Sequence, residues 1–179
     1  MRRVFVGLIV IAVLAWLAHS WTRRSGRAPR PEATVADSSA AGVKAMRLFF
    51  GAANGDSLVA ESREMIEATG LHDRISGLVT ELDRGPRARG VAVLPAGTSV
   101  LRVFLDDRGL MTLDLSGAFR QRFRGGASAE YLAVASLIRT IGANVPEARQ
   151  VLIICAGRPV ATLGGHLPLD RPLDVSDWP

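Results

Sequence analysis

The sequence predicts an α+β domain: a mostly antiparallel sheet built from hairpins, with two helices packed against it. Turn signals at Asn54-Gly55-Asp56, Asp106-Asp107-Arg108-Gly109 and Ala156-Gly157 each separate two apolar runs. Two longer stretches, from Leu71 to Leu82 and from Ser128 to Ile141, repeat apolar residues at helical spacing. The elements alternate as hairpin, helix, hairpin, helix, hairpin, a pattern that places helices on one face of an antiparallel sheet.

Ahead of this domain the chain opens on "RRVFVGLIVIAVLAWLAHSW", an uninterrupted apolar run from Val4 to Ala18 flanked by Arg2, Arg3 and Trp21. Taken to Trp21 it spans roughly 18 residues, about 27 Å as a helix, near the lower limit for crossing a bilayer. Residues 1–24 are expected to be a single transmembrane anchor, with a cleaved signal peptide as the competing reading. The downstream arginines Arg23, Arg24, Arg27 and Arg30 outnumber Arg2 and Arg3, which by the positive-inside rule alone favours a cytoplasmic domain. Residues 25–43 carry Gly26, Pro29 and Pro31 among Ala, Ser and Thr without apolar periodicity, and are expected to be a flexible linker. The domain is expected over 44–175, with 176–179 as a C-terminal tail.

Within the domain, the first hairpin is predicted from about Ala45–Phe50 and Ser57–Arg63. Leu71, Ile75, Leu78, Val79 and Leu82 then mark a helix that stops at Gly85-Pro86. In "TSVLRVFLDDRGLMTLDLS", Val100, Arg102, Phe104 and Asp106 alternate with Leu101, Val103 and Leu105, and a second strand runs to Leu115. Next comes a helix with Tyr131, Val134, Ala135, Ile138 and Ile141 as its stripe, Ser128 as N-cap, Glu130 favouring the dipole, and Gly142 as its end. Gln150 to Cys155 reads as a strand apolar on both faces, placed mid-sheet, followed by a tight turn and a short returning strand.

Length and composition fit one such domain: 179 residues, 48% hydrophobic, with a net charge of +5 supplied almost wholly by arginine, since Lys44 is the sole lysine. The basic residues flanking the apolar segment suit lipid headgroups, so no nucleic acid is expected. The single cysteine, Cys155, excludes an intrachain disulfide and a lipid-modified cysteine near the N-terminus.

Reactive groups are few. The histidines are His19, His72 and His166; His166 sits in the irregular "GGHLPLD", where its ring is expected to bond a backbone carbonyl. Cys155 within "VLIIC" reads as a small core hydrophobe with no base beside it. Asp106-Asp107 suits a turn, and Asp114 with Ser116 suits a strand end. No zinc spacing, P-loop or dinucleotide fingerprint is present, so neither cofactor nor metal is expected. The stretch "RQRFRGGASAE" is the candidate contact surface: Arg120, Arg122 and Arg124 followed by Gly125, Gly126 and Ser128 at a helix start, able to meet an anion or an acidic partner. The sheet edges left by short hairpins are further candidates.

In order and spacing, "LPAGTSVLRVFLDDRGLMTLDLS", "GGASAEYLAVASLIRT" and "VLIICAGRPVATLGGHLPLDRPL" resemble the GerMN domain family, a module of spore germination and sporulation proteins. The resemblance runs over nearly all of Met46 to Leu173. Its most specific parts are Leu113 to Ser116, the Gly-Gly-x-Ser-x-Glu helix start with Ser136 to Thr140, and the Ala-Gly turn leading to Gly165-His166. It implies a bacterial, extracytoplasmic, membrane-tethered α+β domain without catalytic residues, and so an outward-facing domain on the cytoplasmic membrane. The chain differs from the founding member in having one copy of the module and a bare apolar segment in place of a lipoprotein cysteine. The expected function is non-enzymatic: a single-pass envelope protein that binds another protein or assembles with itself, in sporulation, germination or wall processes. The alternative is a module recognising wall glycan or peptide with His166 at its rim; a wall hydrolase ranks last.

Overall fold

A computed structural model describes residues 42–178. The expected anchor over 1–24 and nearly all of the expected linker lie outside the described residues. Among the described residues, no helix is long and apolar enough to cross a membrane.

Strands β1 (Val43–Gly51) and β2 (Leu58–Ile66) form the first hairpin, antiparallel from Val43 opposite Ile66 to Gly51 opposite Leu58. Helix α1 (Leu71–Asp83) follows and ends as Gly85 takes φ +82°, a conformation that favours glycine. Strands β3 (Val100–Leu105) and β4 (Leu110–Leu115) form the second hairpin. Its turn is tied by Asp106 Oδ1, which accepts from the N–H groups of Arg108 and Leu110. Next come a one-turn helix α2 (Ala118–Gln121), the long helix α3 (Ala127–Asn144), β5 (Gln150–Cys155), and the two-residue strands β6 (Arg158–Pro159) and β7 (Leu173–Asp174). The fold is α+β, as expected, and all three hairpins and both main helices form where the sequence places them.

Several expectations need correction. Among the described residues there are two sheets: β1–β2, extended at Gly51 by a single antiparallel bridge to Val91, and β3-β4-β5-β6, with β7 also on β5. Within the second, β4 and β5 run parallel, Leu110 opposite Gln150 to Leu115 opposite Cys155. The 18-residue α3 is the crossover that parallel strands require. Strand β5 is central as expected, with Val151, Ile153 and Cys155 facing inward and Leu152 and Ile154 half-buried on the other face. A bulge between Val100 and Arg102 breaks the expected alternation of β3: Val100, Val103 and Leu105 pack on the core, while Leu101 and Phe104 are exposed. Helix α3 does not stop at Gly142 but runs to Asn144; glycine is there because a Cβ would collide with Val175 Cγ1. The expected tail is part of the domain, since Trp178 stacks on Tyr131 with ring centroids 5.1 Å apart.

One core joins Ile75, Leu78 and Leu82 of α1, Met111, Leu113 and Leu115 of β4, Leu137, Ile138 and Ile141 of α3, and Val151 and Ile153 of β5. The predicted stripe of α3 is too narrow: Leu132 to Ile138 are all buried, whereas Tyr131 is 47% exposed. This burial reaches polar residues because α3 also lies along β1. Ser136 Oγ donates to Phe49 O (2.5 Å), Thr140 Oγ1 accepts from Phe49 N (3.1 Å), and Asn144 both accepts from Arg47 N (2.9 Å) and donates to Arg47 O (2.7 Å). Four residues apart, these three side chains form one stripe that gives the backbone of β1 the hydrogen bonds a neighbouring strand would give.

A second polar centre holds β2 to α1. Arg63, 3% exposed, donates to Glu61 (2.7 Å), to the Glu81 carboxylate (2.7 Å) and to the carbonyls of Glu81 and Gly85, with its guanidinium over the Phe50 ring. Burial by itself would raise the Glu81 and Glu61 pKa values, but Arg63 and Arg84 at Glu81, and Arg63 with the backbone N–H groups of Ala88 and Arg87 at Glu61, together outweigh it and both are lowered.

Candidate functional site

Helix α3 begins abruptly. Its N-cap is Gly126, with no side chain on the free N–H groups, and the first helical bond runs from Glu130 N to Gly126 O (3.0 Å). Ser128 is therefore inside the first turn and is not the cap expected from the sequence. A small residue is needed just ahead: a Cβ at Gly125 would lie 2.5 Å from Ala129 Cβ.

The open helix end lines a cavity of about 690 Å³ together with the segment Val91 to Pro95, and the charged groups of this cavity are Arg122 and Arg124. The walls are largely apolar: Val91, Val93, Leu94, Phe123 and Leu132. Both guanidiniums are exposed and anchored on carbonyls, Arg122 on Ala96 (3.1 Å), Arg124 on Gln121 and Phe123 (2.9 and 2.6 Å). They keep their charge and most of their donors for a ligand. Arg120 is not part of this cavity: it lines a separate one of about 500 Å³ with Cys155, Ala156 and Arg158. Of the predicted contact residues, Arg122, Arg124, Gly126 and Ser128 come together, Gly125 packs behind them, and Arg120 and His166 lie elsewhere.

The His166 expectation also changes. Its backbone N–H donates to Glu130 Oε2 (2.9 Å) and its ring Nδ1 lies 3.3 Å from the same oxygen, while Leu163 N donates to Oε1 (2.8 Å). The ring faces a carboxylate in place of a backbone carbonyl. Glu130 is fully buried, so its role is to clamp the 163–167 loop to the first turn of α3, beyond favouring the dipole. Burial pushes its pKa up, but the backbone N–H groups of Gly164, His166, Leu163 and Leu167 outweigh this and hold it below the ordinary value.

The other reactive candidates are absorbed by structure. Burial, with Asp114 nearby, pushes the Cys155 thiol up to about 11. Asp114 accepts from Arg102 Nε (3.0 Å) and Nη2 (2.9 Å) and from Gly157 N (2.9 Å), tying β3 and β4 to the β5–β6 turn. Ser116 exchanges hydrogen bonds with Ser99 and Gly97. Among the described residues no three of His, Cys, Asp or Glu gather as a metal site.

A family model described as "Germane: Sporulation and spore germination" matches residues 47–161. The chain belongs to the Germane family. No curated protein matches it. Among solved structures, the first GerMN domain of the sporulation protein GerM from Bacillus subtilis is similar at TM-score 0.59 and 21% identity, over 73% of this chain and 97% of that one. The tandem GerMN domains of the same protein give TM-score 0.58 and 19% identity over 76% of this chain, which spans about half (48%) of the tandem chain. A chain described as a lipoprotein from Clostridium perfringens gives TM-score 0.53 and 22% identity, over 76% of this chain and 90% of that one. These identities support a shared GerMN-like fold. The Germane match includes both walls of the arginine cavity but ends ahead of the Glu130-held loop and of Trp178.

The sequence points to Glu130 as a partner of the helix dipole and to Tyr131 as part of the apolar stripe, but not to the loop that Glu130 holds, the Tyr131–Trp178 stack or the Val91 to Pro95 wall. Glu130 carries a weak signal, a carboxylate within an otherwise apolar helix. The wall carries none, because "VAVLP" reads as a short apolar linker.

Proposed function

We propose that this Germane-family protein is a non-enzymatic binding or assembly module of the bacterial envelope, in sporulation, germination or a related wall process. Its N-terminal apolar segment would tether it to the cytoplasmic membrane with the domain outside. The observation that carries the binding role is the cavity at the start of α3: apolar walls, two arginines and no acidic side chain lining it. Such a surface attracts an acidic partner, and no His, Asp, Glu or Lys lines it to act as a base for the Ser128 hydroxyl. The family description, which names sporulation and germination, supports the setting.

The test is in-cell crosslinking of the full chain followed by capture from envelope extracts, with and without R122E/R124E. A specific partner, or a second copy, retained by the wild type and lost in the variant supports the reading. Protease protection in whole cells tests the topology: a shielded domain removes the envelope role.

The stack of the exposed Tyr131 on the half-buried Trp178 favours wall glycan as a second reading, since sugar rings lie well on aromatic faces. Binding to purified wall that withstands moderate salt and is lost in Tyr131→Ala supports it.

A further inference from the structure

The arginine cavity does not end at the start of α3. It adjoins a second hollow of about 340 Å³ that shares Gly55, Ser128 and Leu132 with it and adds Asp56 and Tyr131. That hollow in turn adjoins a third, of about 230 Å³, which ends at Trp178 and Arg139. The three make one groove along the exposed edge of α3. From Ala127 to Arg139 the helix advances about 18 Å, the length of about five or six residues of extended chain.

We propose that this groove binds an extended segment of another protein, about six residues long, with an acidic residue at one end and apolar side chains along the rest. The inference rests on the binding role proposed above and names the class of partner.

The charges fix its direction. Arg122 and Arg124 stand at one end with no acidic side chain near them in the cavity, and Asp56 stands in the middle, so an acidic residue is favoured at the arginine end and repelled beyond it. Arg139 at the far end already lies over the Phe49 ring, 4.2 Å from its centroid, and offers a weaker second pole. Beside the arginines the lining is Val93 and Leu94, and Leu132 lines all three hollows; these surfaces favour apolar side chains and leave sugar hydroxyls unpaired. The backbone of Ala92 and Val93 makes no hydrogen bond to another described residue, so this wall is available to pair with an extended main chain. At the far end the Tyr131–Trp178 stack gives a flat apolar seat for an aromatic or proline ring.

The experiment uses the full chain in detergent micelles, panned against a displayed library of random heptapeptides. Selected peptides are expected to share an Asp or Glu four to five residues, in one constant chain direction, from an aromatic residue or proline. Fluorescence anisotropy of the leading peptide then compares variants. R122E/R124E is expected to weaken it at least tenfold and Tyr131→Ala about fivefold. Arg120→Glu, at the separate cavity, is expected to leave it unchanged. A benzophenone at the acidic end of the peptide is expected to crosslink within 91–95 or 122–128 of the wild-type chain, a readout independent of how the variants fold. The inference is overturned if no motif is enriched, if binding ignores both groove variants, if the crosslink falls elsewhere, or if purified wall glycan displaces the peptide. Capture of an envelope partner that persists in the groove variants removes the groove and leaves the binding role standing; peptide selection without any envelope partner removes the biological setting and leaves the groove.

Discussion

The buried carboxylate of Glu130 accepts the backbone N–H of His166 at 2.9 Å, joining the first turn of α3 to a loop 36 residues further along the chain. With Leu163 N on its other oxygen, this side chain is the internal ligand around which the loop is shaped. Glu130→Gln places an amide where only acceptors are satisfied, and is expected to cost about 3 kcal/mol. Urea denaturation measures the loss, and hydrogen exchange at Leu163 and His166 locates it.

The same residue predicts a pH response. Glu130, Glu81 and Glu61 all have folded pKa values below the ordinary 4.5: burial raises them, and hydrogen bonds lower them by more. A lowered folded value contributes stability that is complete above the unfolded pKa and lost as pH falls through the folded one. The urea midpoint is expected to stay level from neutral pH to about 5 and to drop below about 4.5. Glu130→Gln should show a shallower drop; an unchanged acid profile would count against the clamp.

Removing the arginine at the β2–α1 centre takes the buried partner from Glu61 and Glu81, leaving Glu81 to the exposed Arg84 and Arg87 and Glu61 to the backbone N–H groups of Arg87 and Ala88. Arg63→Met is expected to cost about 3–5 kcal/mol, and adding Glu81→Gln should recover part of it. A double-mutant cycle in urea gives the coupling, and additive losses would contradict it.

Much of this architecture is legible in the chain because turns and helices are local. Asn54-Gly55 and Asp106 to Gly109 specify their hairpins through backbone conformations that few residues adopt, and the spacing of Leu71 to Leu82 has one helical reading. What stays hidden depends on partners distant in sequence. The parallel pairing of β4 with β5 follows from where α3 delivers the chain, and an apolar run such as Val151 to Ile154 is equally compatible with either direction. Ser136, Thr140 and Asn144 look like helix-surface residues until β1 lies beside them. The site divides in the same way: four of its predicted residues meet because they are neighbours in sequence, whereas Arg120 turns away on the short helix α2, and His166 is claimed by Glu130.

Gly142 gives a local test of helix packing. Alanine is the better helix former by about 1 kcal/mol, yet Gly142→Ala is expected to destabilise, because its Cβ meets Val175. Calorimetry should show a lower Tm for Gly142→Ala and a recovery in the double variant with Val175→Ala.

Cys155 is expected to resist thiol reagents in the folded protein. With its pKa raised to about 11 and its side chain inside the core, labelling at pH 8 should be slow and should accelerate by orders of magnitude only in denaturant. Rapid labelling of the native chain would place the thiol at the surface.

The stripe from Ser136 to Asn144 also limits how copies of this domain can join. Since α3 occupies the outer side of β1, the border of the two-stranded sheet left open among the described residues is the one along β2. Two copies meeting there would produce four strands bounded at each end by a helix, and a third copy would find no strand to extend. Growth through this sheet would be self-terminating, closing at two copies.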